Sequence, residues 1–109
     1  MKQKHIPTVG EHLYTYTPCS SYWVSMVHDP YTVVSVNKNA TVCVIREAGL
    51  IFHGPRYYNT IADEIYDDPH GKEMVLRWSE KKQRWQESPA GSYPRVAVFG
   101  MWDHQPYLD

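Results

Sequence analysis

The chain has 109 residues, 42% of them hydrophobic, and a formal net charge of −1 from 11 basic and 12 acidic side chains. That length suits one domain over residues 1–109 with one core, and the composition is too apolar for a disordered chain. The charge balance speaks against a sequence-independent DNA binder, which needs a basic excess, and equally against an acidic mimic of DNA.

Turn signals recur at short intervals between β-branched and aromatic segments, the pattern of an all-β or mainly β chain. A first strand is predicted over 12–16, after the Val9-Gly10 turn. A second, over 22–27, carries Trp23, Val24, Met26 and Val27. Pairing is expected to break at His28-Asp29-Pro30, because Pro30 has no N–H to donate. The best hairpin joins 32–36 to 40–47 through Asn37-Lys38-Asn39. Its predicted register sets Val36 opposite Ala40, Ser35 opposite Thr41 and Val34 opposite Val42, apolar against apolar. The best helix candidate covers 58–66, with Thr60 placed to cap Asp63, although Ile65 and Tyr66 also fit a strand.

Asp68-Pro69-His70-Gly71 suits a type I turn and predicts a second hairpin between 63–67 and 73–79. Glu80-Lys81-Lys82-Gln83 predicts a third, with Trp78 opposite Trp85 and Ser79 opposite Arg84. Residues 88–93 form a Pro/Gly/Ser loop, 95–101 the last strand, and 102–109 an ordered extension or a fraying end. Six or seven short antiparallel strands fit a small SH3-like, partly open barrel or a sandwich. Strand edges in such barrels are often managed by pairing between copies, which leaves a homo-oligomer open.

The residues carry no recognisable catalytic motif. Cys19 and Cys43 are the only cysteines, too few for a zinc cage. Cys43, between Val42 and Val44, reads as a buried inert thiol. The six His residues lack ligand spacing, and no Gly-rich phosphate loop or Gly-x-Ser-x-Gly occurs. Neither a metal nor a cofactor is implied. No apolar segment follows the first residues and none approaches the ~18 needed to span a bilayer, so the expected location is the cytoplasm, with no membrane partner.

What stands out is nine Tyr and four Trp against two Phe. Such side chains suit half-buried strands and stacking surfaces. Two candidate ligand surfaces use them. In the loop around His53, Arg56, Tyr57 and Tyr58, Arg56 can pair with an anion, the tyrosines can stack and His53 can hydrogen-bond. In the 78/85 hairpin, Arg77 and Arg84 share the face opposite the two Trp residues, with Lys81 and Lys82 at the tip. Each also has a purely structural reading, as a half-exposed loop and as a core Trp pair with a solvated outer face.

Several segments occur together: Val9-Gly10, then Asp29-Pro30-x-Thr32-Val33-Val34-x-Val36, a polar turn, a Val-rich strand ending in Arg46, Leu76-Arg77-Trp78, and Tyr107-x-Asp109. This arrangement resembles a set of small, uncharacterised proteins of bacteriophages and prophages. The resemblance implies a host-cell context and no active site. Small phage accessory proteins of this size often counter host defence, some by binding a defence protein such as a CRISPR effector, others by sequestering a nucleotide-like signal. The expectation is therefore a non-enzymatic accessory binding protein of that kind; the alternative is a small-barrel nucleic-acid-binding module. If the ligand carries a phosphate or carboxylate, Arg56→Ala should weaken binding by about 1.5–3 kcal/mol, the range of a charge-assisted hydrogen bond. The melting temperature should stay put, and calorimetric titration beside a thermal melt measures both.

Overall fold

A computed structural model describes residues 4–18, 29–54, 62–100 and 102. These form eight strands: β1 (His12–Tyr16), β2 (Asp29–Val36), β3 (Val42–Glu47), β4 (Gly49–Ile51), β5 (Glu64–Tyr66), β6 (Glu73–Ser79), β7 (Arg84–Glu87) and β8 (Val96–Phe99). Six of them close an antiparallel barrel in the order β1-β2-β3-β6-β7-β8, and β4 and β5 form a separate two-stranded sheet. The all-β class and the small six-stranded barrel stand as the residues implied. The barrel is closed because β1 pairs with both β2 and β8. No helix among the described residues is long and apolar enough to cross a membrane.

The period-2 pattern of each strand places its inward residues. Leu13 and Thr15 of β1, Tyr31 and Val33 of β2, Cys43 and Ile45 of β3, Leu76 of β6 and Trp85 of β7 are all buried. Val36, Met74, Trp78, Ala97 and Phe99 pack against the buried cluster. Full burial of one such aliphatic side chain is worth roughly 1.5–3 kcal/mol. Unlike its neighbours, β2 is buried continuously from Pro30 to Val33. Its outward side is covered by the β4–β5 unit: the Ala48 N–H donates to the Pro30 carbonyl (3.0 Å), and the Thr32 hydroxyl donates to Asp67. From the far end of the chain, the Trp102 indole donates to the Tyr31 carbonyl (2.8 Å), and its ring stacks on His12 at 3.7 Å.

Four expectations change. The hairpin between β2 and β3 exists, but Val36 lies opposite Cys43 and Ser35 opposite Val44, not opposite Ala40 and Thr41. A bulge between Val33 and Ser35 is the reason. It flips the alternation, so that Val33 and Val36 both point inward while Ser35 faces water. Asn37 anchors the longer loop: its Oδ1 accepts from the N–H groups of Thr41 and Val42, both at 2.8 Å. The left-handed residue of this loop is Ala40 (φ 53°), not an Asn.

Pro30 does not end pairing. It is the second residue of β2, opposite Tyr14, where its missing N–H is tolerated near a strand start. The Asp68–Gly71 turn forms, with the Gly71 N–H on the Asp68 carbonyl (3.1 Å), but it joins no hairpin. β5 pairs with β4, whereas β6 pairs with β3 and β7. The backbone of Gly71 comes so close to the Glu47 carbonyl that a Cβ there would collide with it. The described part of the helix candidate, 62–66, is not helical, and 64–66 of it is strand β5. Its first residues, and the strand predicted over 22–27, lie outside the described residues.

The β6–β7 hairpin has the expected register, Trp78 opposite Trp85 and Ser79 opposite Arg84. The two indoles meet edge to face, 5.9 Å between centroids. The β2–β3 loop offers a direct check. Asn37→Ala removes the acceptor of two backbone donors and should cost about 1–2 kcal/mol in urea denaturation. Asn39→Ala, in the same turn but making neither bond, should stay within about 0.5 kcal/mol of wild type.

Candidate functional site

The last seam of the barrel is its thinnest. β7 and β8 pair through Gln86 and Val96 alone, whereas β8 holds four pairs with β1. From that point towards the 80–83 turn, β8 stays on β1 and the two strands part. The gap is a cleft of about 400 Å³, lined by Trp78 of β6, Arg84 and Trp85 of β7, residues 96–99 of β8, Tyr16, His5, and Lys82 and Gln83 of the turn. That volume is at the lower end of the range for small-molecule sites, ~300–1,000 Å³.

The N-terminal segment crosses this cleft. The Trp85 indole N–H donates to the His5 carbonyl (2.9 Å), and the His5 ring stacks on Phe99 at 4.6 Å. The Lys4 ammonium lies 5.4 Å from the Trp78 centroid and 5.7 Å from that of Trp85, within cation–π reach of both. His5 is held in turn by the Glu11 carboxylate, 2.8 Å from its Nε2. Among the described lining residues there is no carboxylate; His5, Lys82 and Arg84 are the titratable or cationic groups besides Tyr16. The Arg84 Nε donates to Gln86 (2.8 Å), which fixes the guanidinium beside the cleft.

The opposite end of the barrel has the contrary character. A cavity of about 570 Å³ there is lined by Glu47, Glu73 and Glu87 with Lys72, Arg95 and Tyr31. Arg95 is held by several partners. Arg95 pairs with Asp29, its Nε donates to the Thr15 hydroxyl (3.1 Å), and its backbone N–H donates to Glu87 (3.1 Å). Burial lowers the affinity of Arg95 for its proton below the ordinary value. Burial first, then the Glu47 charge, push the Tyr31 phenol up to about 12, against a hydrogen bond from Thr15 that favours ionisation. Burial, aided by the Glu11 charge, pushes the Cys43 thiol up to about 11, as befits an inert core cysteine. Arg95 is thus tied into the barrel wall at this end, whereas the cations at the seam line an open cleft, the better candidate for an anionic ligand.

Of the predicted site residues, Arg84 lines the cleft, while Arg77 is exposed on β6 opposite Val42 and Gln86, outside it. His53 follows β4, exposed, with its backbone N–H on Asp63 (2.6 Å) and its ring 3.3 Å from Glu64. Arg77 pairs at Val42, the start of β3, whereas His53 follows β4, which begins beyond the end of β3 at Glu47 and belongs to the separate two-stranded sheet. The two predicted surfaces are therefore separate. Arg56, Tyr57 and Tyr58 lie outside the described residues. His5 and Phe99 escaped the sequence reading because no local pattern connects the two ends of the chain; Lys82 was already visible at the hairpin tip. The chain matches no protein-family model, no curated protein and no solved structure.

The buried phenol and thiol set an alkaline limit. Both are favoured in the protonated form by folding, so their contribution is complete below the unfolded pKa and lost as pH rises through the folded one. For Tyr31 that window runs from 10.0 to about 12, and for Cys43 from 9.0 to about 11. Stability measured by urea denaturation should fall across pH 9–12, and Tyr31→Phe should flatten the upper part of the fall by an amount of the order of 2 kcal/mol.

Proposed function

We propose that this chain is a non-enzymatic binding protein that takes a nucleotide-like ligand, a planar ring with phosphate, into the cleft between β7 and β8. Its setting, by the resemblance of its sequence, is that of a phage-type accessory protein acting against a host defence component. The observation that carries the binding reading is the lining of the cleft. Aromatic rings from Trp78, Phe99 and Tyr16 meet the cations Lys82 and Arg84, with no carboxylate among the described lining residues. Rings offer stacking at ~1–3 kcal/mol per base, and Arg offers charge-assisted hydrogen bonds to phosphate. On a chain of net charge −1, two cations on a lining whose carboxylate neighbours, Glu11 and Glu80, are engaged with His5 and Gln83 favour an anion.

Tryptophan fluorescence titrations with ATP, ADP-ribose, cyclic nucleotides and a dT oligonucleotide test the proposal. Binding of one mononucleotide class is expected. Arg84→Ala should weaken it by about 1.5–3 kcal/mol and Trp78→Ala by about 1–3 kcal/mol. Arg77→Ala, which alters the outer face only, should leave it unchanged. Oligonucleotide binding that collapses steeply with salt would favour the nucleic-acid module instead. Equal losses for Arg77→Ala and Arg84→Ala, or retention of a defence protein with no nucleotide bound at all, would rule out the cleft as the site.

A further inference from the structure

We infer that Lys4 and His5 form a strap that competes with the ligand for the cleft, so that binding requires the strap to lift; this rests on the nucleotide reading above. Trp85 is the deciding residue. It lines the cleft, yet only 2% of its surface is exposed. The strap accounts for the cleft side of this cover. The His5 carbonyl caps the indole N–H, and the Lys4 ammonium sits over the ring. Phe99 is stacked by His5 in the same way. A base cannot stack on a ring whose open face is taken, so full use of the aromatic floor and occupation by the strap exclude each other.

The attachments of the strap suit displacement. Its hinge is fixed: Pro7 is buried, Gly10 adopts φ +91° and bonds to the Val33 carbonyl (2.9 Å), and the Glu11 N–H bonds to Thr8 (3.0 Å). Beyond the hinge it buries little apolar surface, for Ile6 is 54% exposed. The His5–Glu11 contact is open to solvent on the His5 side, where 46% of the side chain is exposed against 17% for Glu11, and a contact so screened holds weakly. The base of the ligand thus takes the place of the imidazole on Phe99.

The test uses the full chain and the double variant Lys4→Ser/His5→Gly, with ATP as the probe. Proton exchange of the Trp85 indole, followed by NMR, reports on the strap without any ligand and should accelerate in the variant. ATP affinity should rise by about tenfold, as for a site competent about one-tenth of the time that becomes competent throughout. In the wild-type protein, saturation with ATP should abolish the nuclear Overhauser contact between the His5 and Phe99 rings. Persistence of that contact, or weaker ATP binding by the variant, would make the strap a clamp and overturn the inference. Unchanged Trp85 exchange would overturn it as well. If neither protein binds ATP, the nucleotide reading falls, whereas accelerated exchange would still uphold the strap as the cover of Trp85.

Discussion

A six-stranded barrel must curl its sheet until the first and last members meet, and every strand twists as it does so. In this chain the shortest pairing lies between β7 and β8, where Gln86 and Val96 form the one register pair. A better-paired seam would leave no cleft and no role for the residues beside it. Because the strands part, Trp85 would face an opening, and the N-terminal segment lies over it: the His5 carbonyl takes the indole proton and its ring takes Phe99. The candidate site is thus a consequence of the short pairing at this seam.

The interior is divided chemically along the barrel. Leu13, Val33, Cys43, Ile45 and Leu76 form an apolar middle. At one end Arg95 satisfies Asp29, Thr15 and Glu87 among other acidic groups; at the other, Lys82 and Arg84 flank aromatic rings without a carboxylate in the lining. A half-buried Arg needs such partners, since an unpaired charge in a low dielectric is costly. Arg95 is thus engaged within its end of the barrel, while Lys82 and Arg84 line an open cleft. That asymmetry on a nearly neutral chain is the physical basis of the proposal that the seam takes an anion.

Local patterns proved readable where a short stretch of chain decides the outcome. The Trp78–Trp85 register follows from one polar turn between two strongly alternating strands, and β1 follows from its own five residues. Where a bulge or a distant segment intervenes, local reasoning misplaces the pairing. Val34 looked like a partner for Val42, but a bulge at this position turns Val36 inward and moves the register. The Asp68–Gly71 turn has the right chemistry for a turn, yet its flanking strands part company because β4 captures β5 and β3 captures β6. Arg84 could be nominated for a site from its place beside Trp85 on a basic hairpin; His53, equally polar, sits with Glu64 on a different part of the molecule.

The amino-acid sequence by itself determined the all-β class, the approximate positions of most of the described barrel strands, the aromatic hairpin and the location of its cations. Those properties depend on alternation and turn chemistry over a few residues. Tertiary structure alone decided which seam is thin, which of Arg77 and Arg84 faces the cleft, and that His5 meets Phe99. These depend on how the sheet closes and on contacts between the two ends of the chain, and no period in the sequence encodes them.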